Sequence, residues 1–230
     1  MQYYTGIDFH LQHSVVTVMD QTGKIVNEAT LNHADRDEVV RFFSSLPPNT
    51  SVAIEATRNW YWLVDLLQEL NLDVKLVHPK KTRIIAESTI KTDKIDSAIL
   101  AHLDRCNFLP TAYIADRETR FQRELLRFYM NLVRTRASIK NGIHSILAKL
   151  NIQHSHTDLF GTAGTGFLRN LQLPGTFQLE LTGYLAVLDN LQVQIKTAQN
   201  EIKLKCKESP YVKYLLTVPG ISYFSALLLA

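Results

Sequence analysis

A chain of 230 residues with 46% hydrophobic and 20% charged residues is long and apolar enough to bury a sizeable core, in one domain or two. The formal net charge of +3 does not by itself indicate nucleic-acid binding, so the placement of the basic residues matters more than their sum. No apolar run reaches the roughly 18 residues of a membrane span, and the start of the chain lacks a signal-peptide pattern. Two isolated cysteines, Cys106 and Cys206, are typical of a reduced, cytoplasmic protein.

The first hundred residues predict a mixed sheet. Three antiparallel strands are expected over residues 3–9, 14–19 and 24–31, with a hairpin turn at 20–23. A helix over 35–46 follows, and short strands at 51–56 and 73–77 then alternate with helices at 60–70, 80–87 and 93–103. This order predicts an α/β protein of the RNase H-like fold, with helices on the faces of the sheet.

Four acidic residues lie where these elements could bring them together. Asp8 and Glu55 end apolar strands, and Asp93 and Asp96 share one face of a predicted helix. Carboxylates are rarely buried without partners, and hard oxygen ligands suit two Mg²⁺ ions roughly 3.5–4 Å apart. The pattern therefore predicts a metal site for phosphodiester chemistry.

Three of these four residues also have an ordinary explanation, whereas Glu55 at the end of an apolar strand is harder to explain without a partner. Asp8 could cap a turn, and Asp93 and Asp96 could be helix-start residues that favour the macrodipole. Lys91 and Lys94 beside the last pair could offset the carboxylate charge, contact phosphate or lie in solvent. His10, two residues beyond Asp8, could approach the metal site, although a strand-end histidine that faces solvent is the favoured alternative.

The second half of the chain predicts long helices. Residues 117–150 form one helix or a helical pair, with Gly142 as a candidate bend, and carry eight Lys or Arg against two acids, a net charge of +6. Four arginines share one stripe, where we expect contact with nucleic-acid phosphate, although a solvated basic face is the alternative. They are Arg120, Arg123, Arg127 and Arg134.

Residues 151–177 are expected to be a polar, glycine-containing connection, and a heptad follows. One seam position holds Leu181, Leu188, Ile195 and Ile202, and the other holds Leu185, Gln192, Gln199 and Cys206. This heptad predicts a coiled coil that joins a homo-oligomer, a dimer or tetramer, with the glutamines helping to fix its register.

The motifs together resemble the DEDD transposases of the insertion-sequence "one-ten" family, which are related to the pilin-gene invertases. The resemblance rests on Gly6-Ile7-Asp8, Ile54-Glu55-Ala56-Thr57, His78-Pro79 and, most specifically, Lys91-Thr92-Asp93-Lys94-Ile95-Asp96, and it continues to Val218-Pro219-Gly220-Ile221. It implies a RuvC-like nuclease domain over 1–115, a basic helix and coiled coil over 116–210, and the start of a C-terminal transposase domain over 211–230.

The resemblance also implies an activity. Asp8, Glu55, Asp93 and Asp96 would be the catalytic residues that hold Mg²⁺ in a DNA transposase or site-specific recombinase guided by a structured RNA. In the family the covalent nucleophile is a serine of the C-terminal domain. Its region is absent here and Ser222 and Ser225 do not match its context, so we expect this chain to be incomplete for catalysis.

Two other functions stay open at this point. The first is a RuvC-like structure-specific endonuclease, which would hydrolyse DNA with water at the same carboxylates. The second is a non-catalytic nucleic-acid-binding and oligomerisation module, which would bind with a steep salt dependence and cut nothing.

Overall fold

The computed structural model describes residues 2–57, 59–85 and 92–230, with the backbone alone at 83–85. The chain divides into two compact units, Met1–Ile114 and Ala115–Ala230. In the described ranges, no helix combines the length and the apolar character needed to cross a membrane.

A six-stranded mixed sheet organises the first unit. Its strands are β1 (Tyr3–Phe9), β2 (His13–Asp20), β3 (Ile25–Asn32), β4 (Ser51–Glu55), β5 (Asp73–Val77) and β6 (Thr111–Ala112), and their order across the sheet is β3-β2-β1-β4-β5-β6. Strands β1, β4 and β5 are parallel to one another, whereas β2 is antiparallel to β1 and β3, and β6 is antiparallel to β5. This mixed topology is compatible with the predicted RNase H-like fold.

In the described residues of the first unit, four helices accompany the sheet: α1 (Arg36–Ser44), α2 (Tyr61–Glu69), α3 (Pro79–Ile85) and α4 (Asp93–Arg105). Side chains alternate between the two faces of a strand, so Ile7 and Ile54 enter one core and Ala53 enters the other. The first core joins Ile7 and Ile54 to Phe43 of α1 and Leu63 of α2. The second core joins Ala53 to Leu100 of α4, so α4 covers the opposite face of the sheet.

Five helices are found in the described residues of the second unit: α5 (Arg117–Lys149), α6 (Thr162–Asn170), α7 (Thr176–Glu208), α8 (Val212–Leu215) and α9 (Tyr223–Leu229). The basic segment is one continuous helix of 33 residues. Gly142 allows α7 to pack closely against this helix, because a Cβ at that position would lie 2.9 Å from the Tyr184 ring of α7.

The polar, glycine-containing connection predicted over 151–177 contains a helix, α6, that the sequence pattern did not indicate. The glycines of α6 have low helix propensity, so the local sequence contained no helical signal. The helix is instead stabilised by packing, because Leu168 is fully buried in a cluster with Leu159 and Ile143. Gly164 is required for space, since a Cβ there would lie 2.3 Å from the Leu159 carbonyl oxygen. Tertiary packing therefore overrides local propensity here.

The predicted seam of α7 is only partly correct. Leu181 and Leu185 are buried against Ile143 of α5, and Ile202 against Leu126, so the apolar stripe is covered within the same chain. The structure therefore does not show the predicted coiled coil between chains.

The glutamines were also placed wrongly in that seam. Gln192 and Gln199 are exposed, and the buried positions are Leu191 and Ala198, one residue earlier in each turn. A helix that turns once in 3.6 residues brings the position three residues after Leu188 and Ile195 inward. Gln199 instead donates its side-chain amide to the Tyr129 hydroxyl at 3.2 Å.

Candidate active site

Asp8 and Glu55 occupy equivalent positions on neighbouring parallel strands. Ile7 pairs with Ile54 in the β1–β4 register, so Asp8 and Glu55 each follow that pair by one residue. Parallel strands lie roughly 4.7–4.9 Å apart, and residues two apart share a face. The two carboxylates therefore share the face of Gly6 and Ala53, the face that α4 covers.

A glycine on β1 allows α4 to lie directly on the sheet. A Cβ at Gly6 would be 1.9 Å from the Ser97 carbonyl oxygen and 2.5 Å from the Ala101 nitrogen, distances that no side chain tolerates. Ser97 is fully buried at the same point and shares a 2.8 Å hydrogen bond with the Thr17 hydroxyl of β2. These contacts fix the height and the position of α4 along β1.

This packing brings the start of α4 to Asp8. Asp93 precedes Ser97 by four residues, a rise of roughly 6 Å along a helix. Asp8 follows Gly6 by two residues, roughly 6.6 Å along a strand. Because Ser97 lies over Gly6, Asp93 in the first turn of α4 reaches the level of Asp8.

His10 links the two carboxylates. Its Nε2 lies 3.0 Å from Asp8 Oδ2 and 3.4 Å from Asp93 Oδ2. Of the two alternatives for His10, these distances support the approach to the carboxylates, and 41% of its side chain is nevertheless exposed. His13, which no sequence motif singled out, places its Nε2 3.8 Å from Asp93 Oδ2 and stacks on His10 with ring centroids 4.7 Å apart.

The electrostatics of Asp8 reflect this crowding. Partial burial raises the pKa of the Asp8 carboxyl above its ordinary value. The His10 charge and hydrogen bond act in the opposite direction, whereas the charges of Asp93 and Asp96 raise the pKa further. The Asp8 carboxylate is therefore repelled by both acids of α4, and a cation bound at this point would offset the repulsion among the three carboxylates.

The donor set suits a divalent cation. Oxygen donors come from β1, β4 and the first turn of α4, and Thr92 begins that helix by accepting a hydrogen bond from the Ile95 amide at 3.3 Å. Asp93 is exposed and Asp96 half-buried, so a hydrated ion has a route to them. Lys94 is exposed, whereas the predicted partner Lys91 lies outside the described residues.

Three of the four predicted arginines line one groove of the second unit. Arg123, Arg127 and Arg134 are exposed on α5 and border a groove of about 570 Å³ whose apolar wall includes Phe224 and Leu228 of α9. Arg127 is held by an ion pair with Glu124. Arg120, in contrast, is buried and is not among the residues that line this groove.

Residues 5–152 match the family model of the DEDD transposases of the IS110 insertion sequences, described as a transposase. The chain belongs to this family. The matched range contains all four carboxylates and the whole of α5. No curated protein matches the sequence.

Membership of the IS110 transposases indicates the general chemistry of the site. The family moves DNA segments, which requires DNA binding, and its DEDD carboxylates imply dependence on divalent metal. The structure adds the local geometry: Asp8 and Asp93 converge on His10, and Glu55 is placed beside Asp8 by the strand register.

Proposed function

We propose that Asp8, Glu55, Asp93 and Asp96 form the Mg²⁺-binding catalytic site of an RNA-guided DNA recombinase. The observation that carries this proposal is the approach of Asp93 and Asp8 to the same nitrogen of His10, at 3.4 Å and 3.0 Å. Family membership supports the transposase class, and the close contact between Gly6 and Ser97 explains how two distant sequence segments meet.

The protein's residues supply positioning and charge. Asp8 and Glu55 are held by a central sheet, so their carboxylates need little reorganisation when substrate binds. Asp93 and Asp96 approach them from α4 and complete a concentrated negative site. Two bound Mg²⁺ ions would polarise the scissile phosphate and stabilise the leaving oxygen.

Nucleic acid would be held by the basic groove of α5. Arg123, Arg127 and Arg134 offer guanidinium groups to phosphates, while Phe224 and Leu228 offer an apolar wall to bases or sugars. Lys91 and Lys94, which lie beside Asp93 in the sequence, would add contacts to phosphate. A basic groove for binding and a separate set of carboxylates for catalysis suit a protein that binds DNA and a structured guide RNA.

Assembly would use a surface other than the covered seam of α7. Leu179, Val193 and Leu204 are exposed on that helix, so its outward side retains apolar surface for a second copy of the chain. A dimer or tetramer is therefore proposed through this outward side.

Strand exchange on supercoiled DNA that carries the ends of the element tests the proposal. The protein is produced as encoded through to its stop codon and assayed with and without the element's flanking RNA and Mg²⁺. Exchange that needs both, with a covalent protein–DNA adduct, and that disappears in Asp8→Asn is the expected result. The exposed Glu180 of α7 provides a charge-matched control, Glu180→Gln, which should retain exchange.

Other outcomes discriminate between the functions. Metal-dependent cutting without exchange or adduct would replace the proposal with a hydrolytic endonuclease. Binding without any cutting would leave a nucleic-acid-binding module. Exchange retained by Asp8→Asn would remove the carboxylates from the catalytic role.

A further inference from the structure

Two histidines and one aspartate meet at the rim of the carboxylate site. One ligand atom from each of His10, His13 and Asp93 lies within 4.8 Å of the other two. Across the described ranges, no other group of three His, Cys, Asp or Glu ligands meets this condition. The Mg²⁺ function does not use these imidazoles, because Mg²⁺ prefers oxygen ligands.

The backbone holds the two imidazoles in place. The His10 amide donates to the His13 carbonyl at 3.0 Å, which closes the turn between β1 and β2. The Asn59 side chain donates to the His10 carbonyl at 3.2 Å. The rings stack with an angle of 27° between their planes, so both present Nε2 toward Asp93.

The separations are close to those of a coordinated ion. Zinc–nitrogen and zinc–oxygen bonds of roughly 2.0–2.1 Å in a tetrahedral site place neighbouring ligand atoms about 3.3 Å apart. The distances to Asp93 Oδ2 are 3.4 Å from His10 Nε2 and 3.8 Å from His13 Nε2. Small side-chain rotations therefore suffice, and the exposed fractions of 41%, 41% and 51% leave the ligand atoms open to solvent.

We propose that His10, His13 and Asp93 form a second cation site that selects Zn²⁺, or a similar borderline metal such as Co²⁺, over Mg²⁺. Imidazole nitrogen is a good ligand for these metals, and two histidines with one carboxylate leave an open position for water or Asp8. His10 gives up its hydrogen bond to Asp8 when its Nε2 binds the metal.

The site has a regulatory consequence, which rests on the proposed Mg²⁺ function. Asp93 belongs to both sites, so a zinc ion that holds it removes one carboxylate from the Mg²⁺ set. Zinc would then inhibit the Mg²⁺-dependent reaction at concentrations far below those of Mg²⁺. Binding of zinc itself requires no catalytic activity and is measured separately.

The test is titration of the metal-free 230-residue chain with Co²⁺, followed by visible absorption, in excess Mg²⁺ and without nucleic acid. One equivalent should bind with the intense bands of a four- or five-coordinate site, and Zn²⁺ should displace it. Removing an outer partner of a metal ligand costs about 10–100-fold in affinity, so removal of a ligand itself in His13→Ala should cost at least ~100-fold.

Controls separate this site from adventitious binding. His154 and His156 of the second unit also stack at 27°, but they belong to no such three-ligand group among the residues that the structure describes. The double change to alanine should therefore leave cobalt binding unaltered. His13→Gln preserves side-chain bulk and should weaken cobalt binding by a similar factor. Thermal unfolding of the metal-free variants checks that they fold.

Three results would overturn the inference: no saturable binding, binding unaltered by both His13 variants, or abolished binding in the His154/His156 variant. The titration is decisive even when strand exchange fails, because it uses no DNA. Conversely, absence of cobalt binding leaves the Mg²⁺ proposal standing.

Discussion

The Gly6 backbone of β1 lies against the Ser97 carbonyl of α4, with only 1.9 Å between that oxygen and the position a Cβ would take. The contact explains how residues 85 positions apart in sequence, Asp8 and Asp93, come to share a histidine. The geometry of the candidate site therefore depends on the absence of one methyl group.

Gly6→Ala tests this dependence. The added methyl meets backbone atoms of α4, which cannot move aside as a side chain would, so we expect a decrease of about 1–3 kcal/mol in the free energy of unfolding. Urea denaturation measures it. Gly183→Ala is the matched control, because Gly183 lies in the interior of α7 and an added Cβ there would meet nothing within 4 Å. This change should raise the free energy of unfolding by roughly 0.5–1 kcal/mol. Equal effects of the two changes would contradict the packing argument.

Asp8 should lower stability in the absence of metal. Its pKa is raised from 3.8, chiefly by burial, so the folded protein binds the proton more tightly than the unfolded chain does. Ionisation of Asp8 therefore lowers the free energy of unfolding. This loss is absent below pH 3.8, grows as the pH rises from 3.8 to the raised pKa, and is fully present above the raised pKa.

Asp8→Asn should therefore raise the thermal midpoint at pH 7 in chelator, while keeping a hydrogen-bonding side chain beside His10. Mg²⁺ or Mn²⁺ should raise the midpoint of the unaltered chain more than that of the variant, since binding to the folded state stabilises it. Scanning calorimetry of both chains, with Glu180→Gln as the surface control, measures these differences. A lower midpoint for Asp8→Asn would contradict the assigned sign.

Lys75 of β5 neutralises a buried acid on α4. Its Nζ lies 2.7 Å from Oδ1 of Asp104, whose side chain is 1% exposed, and 3.8 Å from Oδ2 of the exposed Asp73. Partial burial alone would lower the pKa of Lys75, but the hydrogen bond and charge of Asp104 raise it above 10.5. The stabilisation is full below pH 10.5 and disappears as the pH rises through the raised pKa.

Lys75→Met should therefore cost about 1.5–3 kcal/mol at pH 7, the range for a hydrogen bond to a charged group. Asp73→Asn should cost less than about 0.5 kcal/mol, because exposed ion pairs contribute little. Chemical denaturation from pH 7 to 11 measures the free energy of unfolding of both variants. The difference in this free energy between Lys75→Met and the unaltered chain should decrease at the alkaline end.

The groove arginines should control the salt dependence of nucleic-acid binding. Removing one guanidinium–phosphate interaction lowers the slope of log affinity against log salt by about 0.9 for duplex DNA, so Arg123→Ala with Arg134→Ala should lower it by roughly 1.8. Fluorescence anisotropy across a KCl series measures the slope. Arg169→Ala is the control, since Arg169 is engaged by Asp189 at 2.7 Å and lies outside the groove.

The sequence allowed five of the six strands, all but the two-residue β6, to be predicted closely, because alternating apolar runs and turn residues are local signals. The motifs also singled out Asp8 and Glu55 as strand-end acids, and β1 and β4 place them side by side. The role of each carboxylate remains a prediction, since the register establishes proximity and not chemistry.

The meeting of the two histidines with Asp93 could not be predicted in the same way, although the position of His10 beside Asp8 made it a candidate for the site. The approach of His10 and His13 to Asp93 depends on where α4 packs, a long-range contact that periodicity does not encode. One local signal was available: two histidines three residues apart, at a tight turn that follows a strand-end aspartate. Similarly, α6 was missed because its helix depends on burial of Leu168 and not on the propensity of its glycines.

The division of the chain at Ile114 also separates the two sets of chemical groups along the gene. All four carboxylates and both site histidines are encoded before that point, and the groove-lining arginines are encoded after it. A crossover between the codons for residues 114 and 115 would exchange the basic helices of two relatives while each set of acids kept its own strands and helix. Such inheritance in blocks would replace the proposed nucleic-acid groove while leaving the candidate metal site unchanged.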